Sequence, residues 1–189
     1  METKNDSLSA QQSLDLITNM IDQAKGNLRN QSFYFLFWGW VIVTANLGGY
    51  LLYKIEYPAP YVIWLIVIPG WLISIAYGYK QRKSARSKTH IDKINIALWI
   101  SYGVFATTIP FLGQWINYQI NPIILLVGGI TTFTSGIVLR FRPLHIGGII
   151  IFASGIISFF VNKELQLLVG ATAVALGYLV PGYILKAQN

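Results

Sequence analysis

Cysteine is absent from this sequence, and charged residues are few. Without cysteine, a disulfide framework, a catalytic thiol and a Cys-ligated metal are all excluded. Charged residues make up only 11% of the chain, against roughly 25% in ordinary soluble domains. Hydrophobic residues make up 54%, and a soluble protein with that share would expose large apolar patches to water. The composition therefore predicts an integral membrane protein.

Ionisable side chains are also missing from the long apolar runs. All seven acidic residues lie in loops, at a helix start or in the N-terminal segment, and both histidines lie outside the centres of the runs. Proton-coupled transport usually needs a buried carboxylate or histidine relay, and metal hydrolysis needs clustered histidine and carboxylate ligands. No phosphate-binding loop ending in GK[ST] occurs, and no histidine shares a depth with Ser74, Ser101 or Ser135. We therefore expect a protein that is not an enzyme and has no metal or cofactor.

Six apolar runs are long enough to cross a bilayer. About 20 helical residues match a hydrocarbon core of about 30 Å. Only Asn162, Lys163 and Glu164 separate the last two runs, but one helix through both would place these polar residues at its centre. The sequence predicts an all-α, polytopic transmembrane helix bundle. Its membrane domain covers residues 33–186, with spans at about 33–53, 60–79, 94–115, 122–139, 144–161 and 165–185.

Basic residues fall unequally on the two sides of this arrangement. One side holds 12 Lys and Arg residues, and the other holds only Lys54 and Lys163. Cytoplasmic loops collect Lys and Arg because these residues fix the orientation of membrane proteins. The N- and C-termini are therefore expected in the cytoplasm. The net charge of +7 is explained in the same way.

The N-terminal segment, residues 1–32, is expected to form a cytoplasmic amphipathic helix. Its apolar residues recur at helical spacing and form one stripe on an otherwise polar helix. This helix either lies in the inner membrane interface or docks a partner protein. Deletion of residues 1–28 would separate the two interpretations. The stripe consists of Leu14, Ile17, Ile21, Ala24 and Leu28.

The loop at residues 80–93 carries the densest run of positive charge. It contains no aromatic residue that could stack on a base, so nucleic acid is not expected as a partner. Contact with anionic lipid headgroups and docking of an acidic cytosolic protein both remain open. The candidate contact residues, which include two from the next cytoplasmic loop, are Lys80, Arg82, Lys83, Arg86, Lys88, Arg140 and Arg142.

The fourth span is the most polar of the six. Thr131, Thr132, Thr134 and Ser135 are candidates to line a polar cavity. Hydroxyl groups of this kind also donate hydrogen bonds to carbonyls of their own helix, so a purely structural role is the alternative.

Three prolines interrupt or end predicted spans. Pro69, Pro110 and Pro181 each remove a backbone donor and free a carbonyl in a medium without water. We therefore treat them as candidate helix breaks. Each is either part of a functional broken helix or a simple kink.

Small residues at four-residue spacing occur in several spans and favour close helix packing. This packing is either within one chain or between two chains of a homodimer. In addition, GGITTFTSGI in span four, which starts at Gly128, recurs 19 residues later as GGIIIFASGI in span five. The repeat is either a duplicated hairpin or convergence on small residues.

The stretch AKGNLRNQSFYFLFWGWVIV (Ala24 to Val43) and the closing GYLVPGYILK (Gly177 to Lys186) resemble a group of small uncharacterised bacterial membrane proteins with about six spans. The resemblance covers most of the chain and implies a bacterial inner membrane. It implies no activity and no functional residues.

Two functions follow as expectations. In the first, the protein serves in permeation or lipid handling for a neutral or weakly polar substrate and works through neutral polar groups in the membrane. In the second, it is a membrane sensor or assembly subunit that holds a cytosolic partner through its N-terminal helix and the basic loop. In both, membrane lipids surround the bundle.

Overall fold

The computed structural model describes the backbone of residues 10–84 and 90–187 and the side chains of residues 32–80 and 92–187. All the elements in these ranges are helical. They are α1 (Ala10–Lys54), a 3-10 helix (Pro60–Ile66), α2 (Val67–Ser84), α3 (His90–Thr108), a second 3-10 helix (Ile109–Leu112), α4 (Ile120–Leu139), α5 (Arg142–Ser158), α6 (Lys163–Val174), a π-helical segment (Ala175–Leu179) and α7 (Val180–Ala187).

Five helical stretches in the described part of the chain are long and apolar enough to cross a membrane. They are Ser32–Lys54, Pro60–Lys80, Asp92–Leu112, Ile120–Leu139 and Lys163–Ala187. The all-helical, multi-pass membrane character predicted from the sequence is thereby confirmed. The remaining predicted span, 144–161, corresponds to α5, an apolar helix of 17 residues.

The first helix is much longer than a single crossing. α1 runs for 45 residues, so the predicted N-terminal helix and the predicted first span form one continuous helix. The side chains of the apolar stripe from Leu14 to Leu28 lie outside the described residues.

The first and last spans pack against each other in antiparallel orientation. Gly49 contacts Leu167 near one end of the pair, and Gly182 contacts Leu36 near the other. Between these contacts lies the main hydrophobic core. It consists of Val43, Leu125, Ile151, Ala173, Val174, Tyr178 and Leu179.

Helices α4 and α5 form an antiparallel hairpin with local twofold symmetry. Gly129 of α4 lies against the backbone of Phe152, and Gly148 of α5 lies against the backbone of Phe133. A shift of 19 residues relates the two repeated motifs, so Gly129 corresponds to Gly148 and Phe133 to Phe152. Each contact is therefore the counterpart of the other. A Cβ atom at Gly129 would stand only 2.5 Å from the Phe152 backbone nitrogen, so the small residues permit this approach. In this hairpin they serve intramolecular packing.

A tight turn closes the hairpin. Arg140 takes a left-handed conformation with φ of 53°, and the backbone N–H of Phe141 donates to the Gly136 carbonyl at 3.0 Å. The Phe141 side chain is buried in a second core cluster with Phe35, Leu144 and Leu185. Because this cluster joins three parts of the chain, it anchors that end of the bundle.

The second span packs on α1 through aromatic rings and is otherwise largely exposed. Phe33 stacks on Tyr77 with ring centroids 3.9 Å apart, and Trp38 meets Trp71 at 5.3 Å. Trp71 also covers Gly103 of α3. The Trp71 ring therefore joins the second span to both neighbouring helices.

All three candidate helix breaks lie close to a change of helical winding. Pro69 falls in the first turn of α2, just after a 3-10 helix. Pro110 lies in the 3-10 helix that follows α3. Pro181 is the second residue of α7, directly after the π-helical segment. At Pro69 and Pro181 the chain adjusts its winding and continues helically, whereas the helical span ends at Leu112, two residues after Pro110.

Candidate functional site

Two threonines of the fourth span bond to their own helix. The Thr131 hydroxyl donates to the Val127 carbonyl at 2.8 Å, and the Thr132 hydroxyl donates to the Gly128 carbonyl at 2.7 Å. This arrangement is the structural alternative to a polar cavity.

Ser135 instead joins a hydrogen-bond network with α3. Its hydroxyl donates to Asn95 Oδ1 at 2.6 Å and accepts from Trp99 Nε1 at 3.2 Å. Thr132 extends this polar region, because its Oγ1 lies 3.3 Å from the Tyr178 hydroxyl. The hydroxyl groups of α4 therefore connect α3 to the last span.

Aromatic rings enclose these polar groups. Trp99 makes edge contacts with Phe35 at 5.6 Å and with Tyr178 at 5.8 Å. Thr132 and Ser135 are both 0% exposed, while Thr134 is half-buried. Three of the four predicted cavity residues are thus packed against protein atoms in this conformation, and their role in a cavity stays a prediction.

A second polar region lies at the opposite end of α4. Gln166 of α6 donates through Nε2 to Gln119 Oε1 at 2.8 Å, and Asn121 donates through Nδ2 to the Gln166 carbonyl. Asn46 of α1 lies beside them across Gly170. We call these four carboxamide residues, Asn46, Gln119, Asn121 and Gln166, the amide cluster.

Asn46 is the least satisfied member of the amide cluster. Its Nδ2 donates to the Ile42 carbonyl at 2.9 Å, but its Oδ1 has no hydrogen-bond partner among the described residues. The residue is 1% exposed. A Cβ atom at Gly170 would stand 2.7 Å from Asn46 Oδ1 and 3.0 Å from Asn121 Nδ2. An acceptor is thus held without a donor in a region where an unmade hydrogen bond is costly.

Other buried polar atoms of the described side chains share this condition. They are Ser74 Oγ, His145 Nε2 and Ser158 Oγ. Ser158 is the last residue of α5, and so it lies at the same end of the bundle as the amide cluster.

Charged side chains lie at the same end of the bundle as the amide cluster. Lys54 and Glu164 form an ion pair at 3.4 Å, and Lys163 lies over the Tyr118 ring at 4.9 Å from its centroid. Lys54 and Lys163, the two basic residues predicted on the opposite side of the membrane from the other 12, therefore lie at the same end of the structure. We call this end of the bundle the far end.

The opposite end carries the predicted basic contacts. Lys80, Arg140 and Arg142 are exposed there, which leaves them free to meet headgroups or a partner. The side chains of Arg82, Lys83, Arg86 and Lys88 lie outside the described residues. We call this end the basic end.

Sequence reasoning missed much of this polar architecture. Asn95, Gln119, Asn121 and Gln166 stand at the edges of the apolar runs, where polar residues usually face headgroups or water. Three of them, Gln119, Asn121 and Gln166, could have been grouped from the sequence only by position. All three lie at the starts of predicted spans on the same side of the membrane.

Residues 32–80 and 92–187 contain no group of three or more His, Cys, Asp or Glu side chains that could hold a metal ion. No family model, curated protein or solved structure matches the chain. The resemblance to small bacterial membrane proteins therefore remains a prediction.

Proposed function

We propose that this protein is a non-enzymatic membrane protein that lets a small neutral, hydrogen-bonding solute permeate through its amide cluster. The observation that supports this proposal most directly is that Asn46 Oδ1 is a buried acceptor without a donor among the described residues. A solute with O–H or N–H groups would supply that donor. The same carboxamides offer donors and acceptors but no charge, which favours a neutral solute over an ion.

The proposal includes six crossings, with both termini in the cytoplasm of a bacterial inner membrane. α5 would span about 26 Å at about 1.5 Å per residue, slightly less than the hydrocarbon core, and bilayers thin locally to fit short helices. Its pairing with α4 supports a full crossing, because the contacts run from Gly155 with Leu126 to Gly136 with Leu144. The basic end then faces the cytoplasm.

Reconstitution into proteoliposomes tests the permeation function. Stopped-flow light scattering would measure glycerol and urea entry for the unaltered protein, for Asn46→Leu and for Thr44→Leu. Thr44 is the matched control because it is an exposed polar residue on the same helix. We expect flux above that of protein-free vesicles, a loss of about tenfold in Asn46→Leu, as for one lost hydrogen bond, and no change in Thr44→Leu.

Other results would redirect the proposal. Equal flux with and without protein would reject permeation, and equal flux in Asn46→Leu and the unaltered protein would reject the amide cluster as the route. A phospholipid that copurifies in stoichiometric amount and depends on Asn46 would favour lipid handling.

The length of α1 favours a second candidate function, that of a sensor or assembly subunit. Residues 10–31 continue the first span as one helix and would extend about 33 Å beyond the membrane. A helix that lay in the interface would need a break or sharp kink at this point. An extended helix with the exposed basic end beside it fits a cytosolic partner. If deletion of residues 1–28 leaves both partner capture and oligomer size unchanged, this candidate is rejected.

A further inference from the structure

The last membrane span changes winding near its middle. The π-helical segment Ala175–Leu179 separates α6 from α7, and the N–H of Val180 donates to the Ala175 carbonyl five residues earlier. Pro181 has no N–H, so the Gly177 carbonyl has no regular α-helical donor. A π-turn holds one residue more than an α-turn, and such turns are frequent at functional sites.

The two halves of this span are held in different ways. The α7 half is fixed by apolar packing, because Leu185 is 1% exposed among Phe35, Phe141 and Leu144, and Gly182 fits against Leu36. It is thus tied to the core cluster at the basic end.

The α6 half carries part of the amide cluster. Gln166 and the Gly170 gap meet Gln119, Asn121 and Asn46 mainly through polar contacts. These contacts leave Asn46 Oδ1 without a partner. Apolar packing on this half comes from Leu167 and Ala171, and from Ala173 and Val174, which belong to the main hydrophobic core next to the π-segment.

The two halves of the last span differ in their register against α1, and the stretch between them contains the π-segment. Asn46 faces Gly170 and Gly39 faces Leu179. A separation of seven residues along α1 therefore matches a separation of nine residues along the last span. Pairing stays close on both sides, so the change of register lies between Gly170 and Leu179, the stretch that contains the π-segment.

The contacts around the π-segment suit a pivot. Gly177 and Gly147 meet backbone to backbone, since a Cβ at Gly147 would stand 2.5 Å from the Gly177 oxygen. Neither glycine has a side chain, and the Ile151 side chain of α5 packs against Gly177 beside this contact. On the other side, Tyr178 is held by Thr132, Phe35 and Trp99, which fixes the base of the pivot.

We infer that the π-segment is a hinge that regulates the amide cluster. In the closed state described here, α6 covers Asn46. In the open state, the π-segment rewinds, α6 moves away from α1 and α4, and the cluster opens toward the far end while α7 stays in place. This inference rests on the proposed permeation function, but the movement itself can be measured separately.

Two disulfide locks test the hinge, and the cysteine-free sequence needs no prior substitution. The outer lock combines Gly49→Cys with Leu167→Cys and ties α6 to α1. The inner lock combines Leu36→Cys with Gly182→Cys and ties α7 to the same helix, as the matched control. We expect oxidation of the outer lock to lower glycerol flux by about tenfold and reduction to restore it. Oxidation of the inner lock should leave flux unchanged.

Equal flux in the oxidised and reduced outer lock would overturn the hinge and leave the permeation function standing. If no form conducts glycerol, the permeation function fails, and thiol labelling then decides the hinge. Leu167→Cys on α6 should react with a water-soluble maleimide about tenfold faster than Leu185→Cys on α7, although both positions are buried. Equal rates would overturn the hinge.

Discussion

At the scale of single residues, Asn46 is the position where the proposed function conflicts most with stability. An unpaired buried acceptor costs about 1–3 kcal/mol, and residues of this kind persist where function needs them. Leucine has the same number of side-chain heavy atoms, branched at the same position, and no unmet acceptor. We therefore expect Asn46→Leu to raise the free energy of unfolding in detergent by about 1 kcal/mol while it lowers solute flux.

A loss of stability in Asn46→Leu would contradict this account of Asn46. Thr44→Leu again serves as the control, because its exposed side chain leaves no buried group unpaired. Thermal unfolding of the purified variants provides the comparison.

The contact between Thr132 and Tyr178 gives a second prediction at this scale. Their oxygens lie 3.3 Å apart and join α4 to the π-segment. Thr132→Val and Tyr178→Phe remove one partner each, and the double variant completes a double-mutant cycle. We expect a coupling of about 0.5–1.5 kcal/mol in the free energy of unfolding. Strictly additive effects would show that this contact does not hold the last span.

Residue-level sequence reasoning identified the polar groups more readily than their partners. The self-bonding of Thr131 and Thr132 was open to prediction because it depends on a four-residue spacing within one helix. The bond from Ser135 to Asn95 spans 40 residues, and the amide cluster gathers residues from distant parts of the chain. Such partners depend on helix packing, which the periodicity of one sequence does not specify.

At the scale of elements, the α4–α5 hairpin shows what the repeated motif does. Each copy places its glycine against the phenylalanine backbone of the other copy. The repeat was visible in the sequence, and the reciprocal contact explains it physically. Two antiparallel helices related by a twofold axis present the same face to each other, so one small-residue pattern serves both.

This symmetry predicts matched effects in the two helices. Gly129→Leu and Gly148→Leu should each destabilise the protein by about 3 kcal/mol or more, because each forces a side chain into the opposing backbone. Ala153→Leu on α5 is the control, since this residue is exposed. Unfolding in increasing SDS would measure all three, and a mild effect at either glycine would refute the close approach.

Helix ends were easier to predict than helix winding. The five apolar stretches long enough to cross a membrane begin and end within a few residues of predicted spans, because apolar length follows bilayer thickness. The π-segment had no such signal, since it reflects the missing N–H of Pro181 together with packing at Gly147. Proline alone predicted a disturbance of the helix and not its form.

At the scale of the whole molecule, both proposed functions depend on which side of the membrane each end of the bundle faces. The amide cluster, the Lys54–Glu164 ion pair and the start of α6 share the far end, while Arg140 and Arg142 lie at the basic end. Solute entry from outside and a cytosolic partner at α1 both require that these ends face opposite compartments. The proposed orientation needs an even number of spans, and the number is even only if α5 crosses the membrane. The crossing of α5 is therefore the central claim.

Single cysteines at the two ends of α5 test that claim most directly. Arg142→Cys and Phe160→Cys each replace an exposed residue, and the chain has no other thiol. A membrane-impermeant maleimide would be added to intact bacterial cells expressing each variant and then to inverted membrane vesicles. We predict that Phe160→Cys reacts in intact cells and Arg142→Cys only in inverted vesicles. Labelling of both positions from the same side would contradict the six-span architecture.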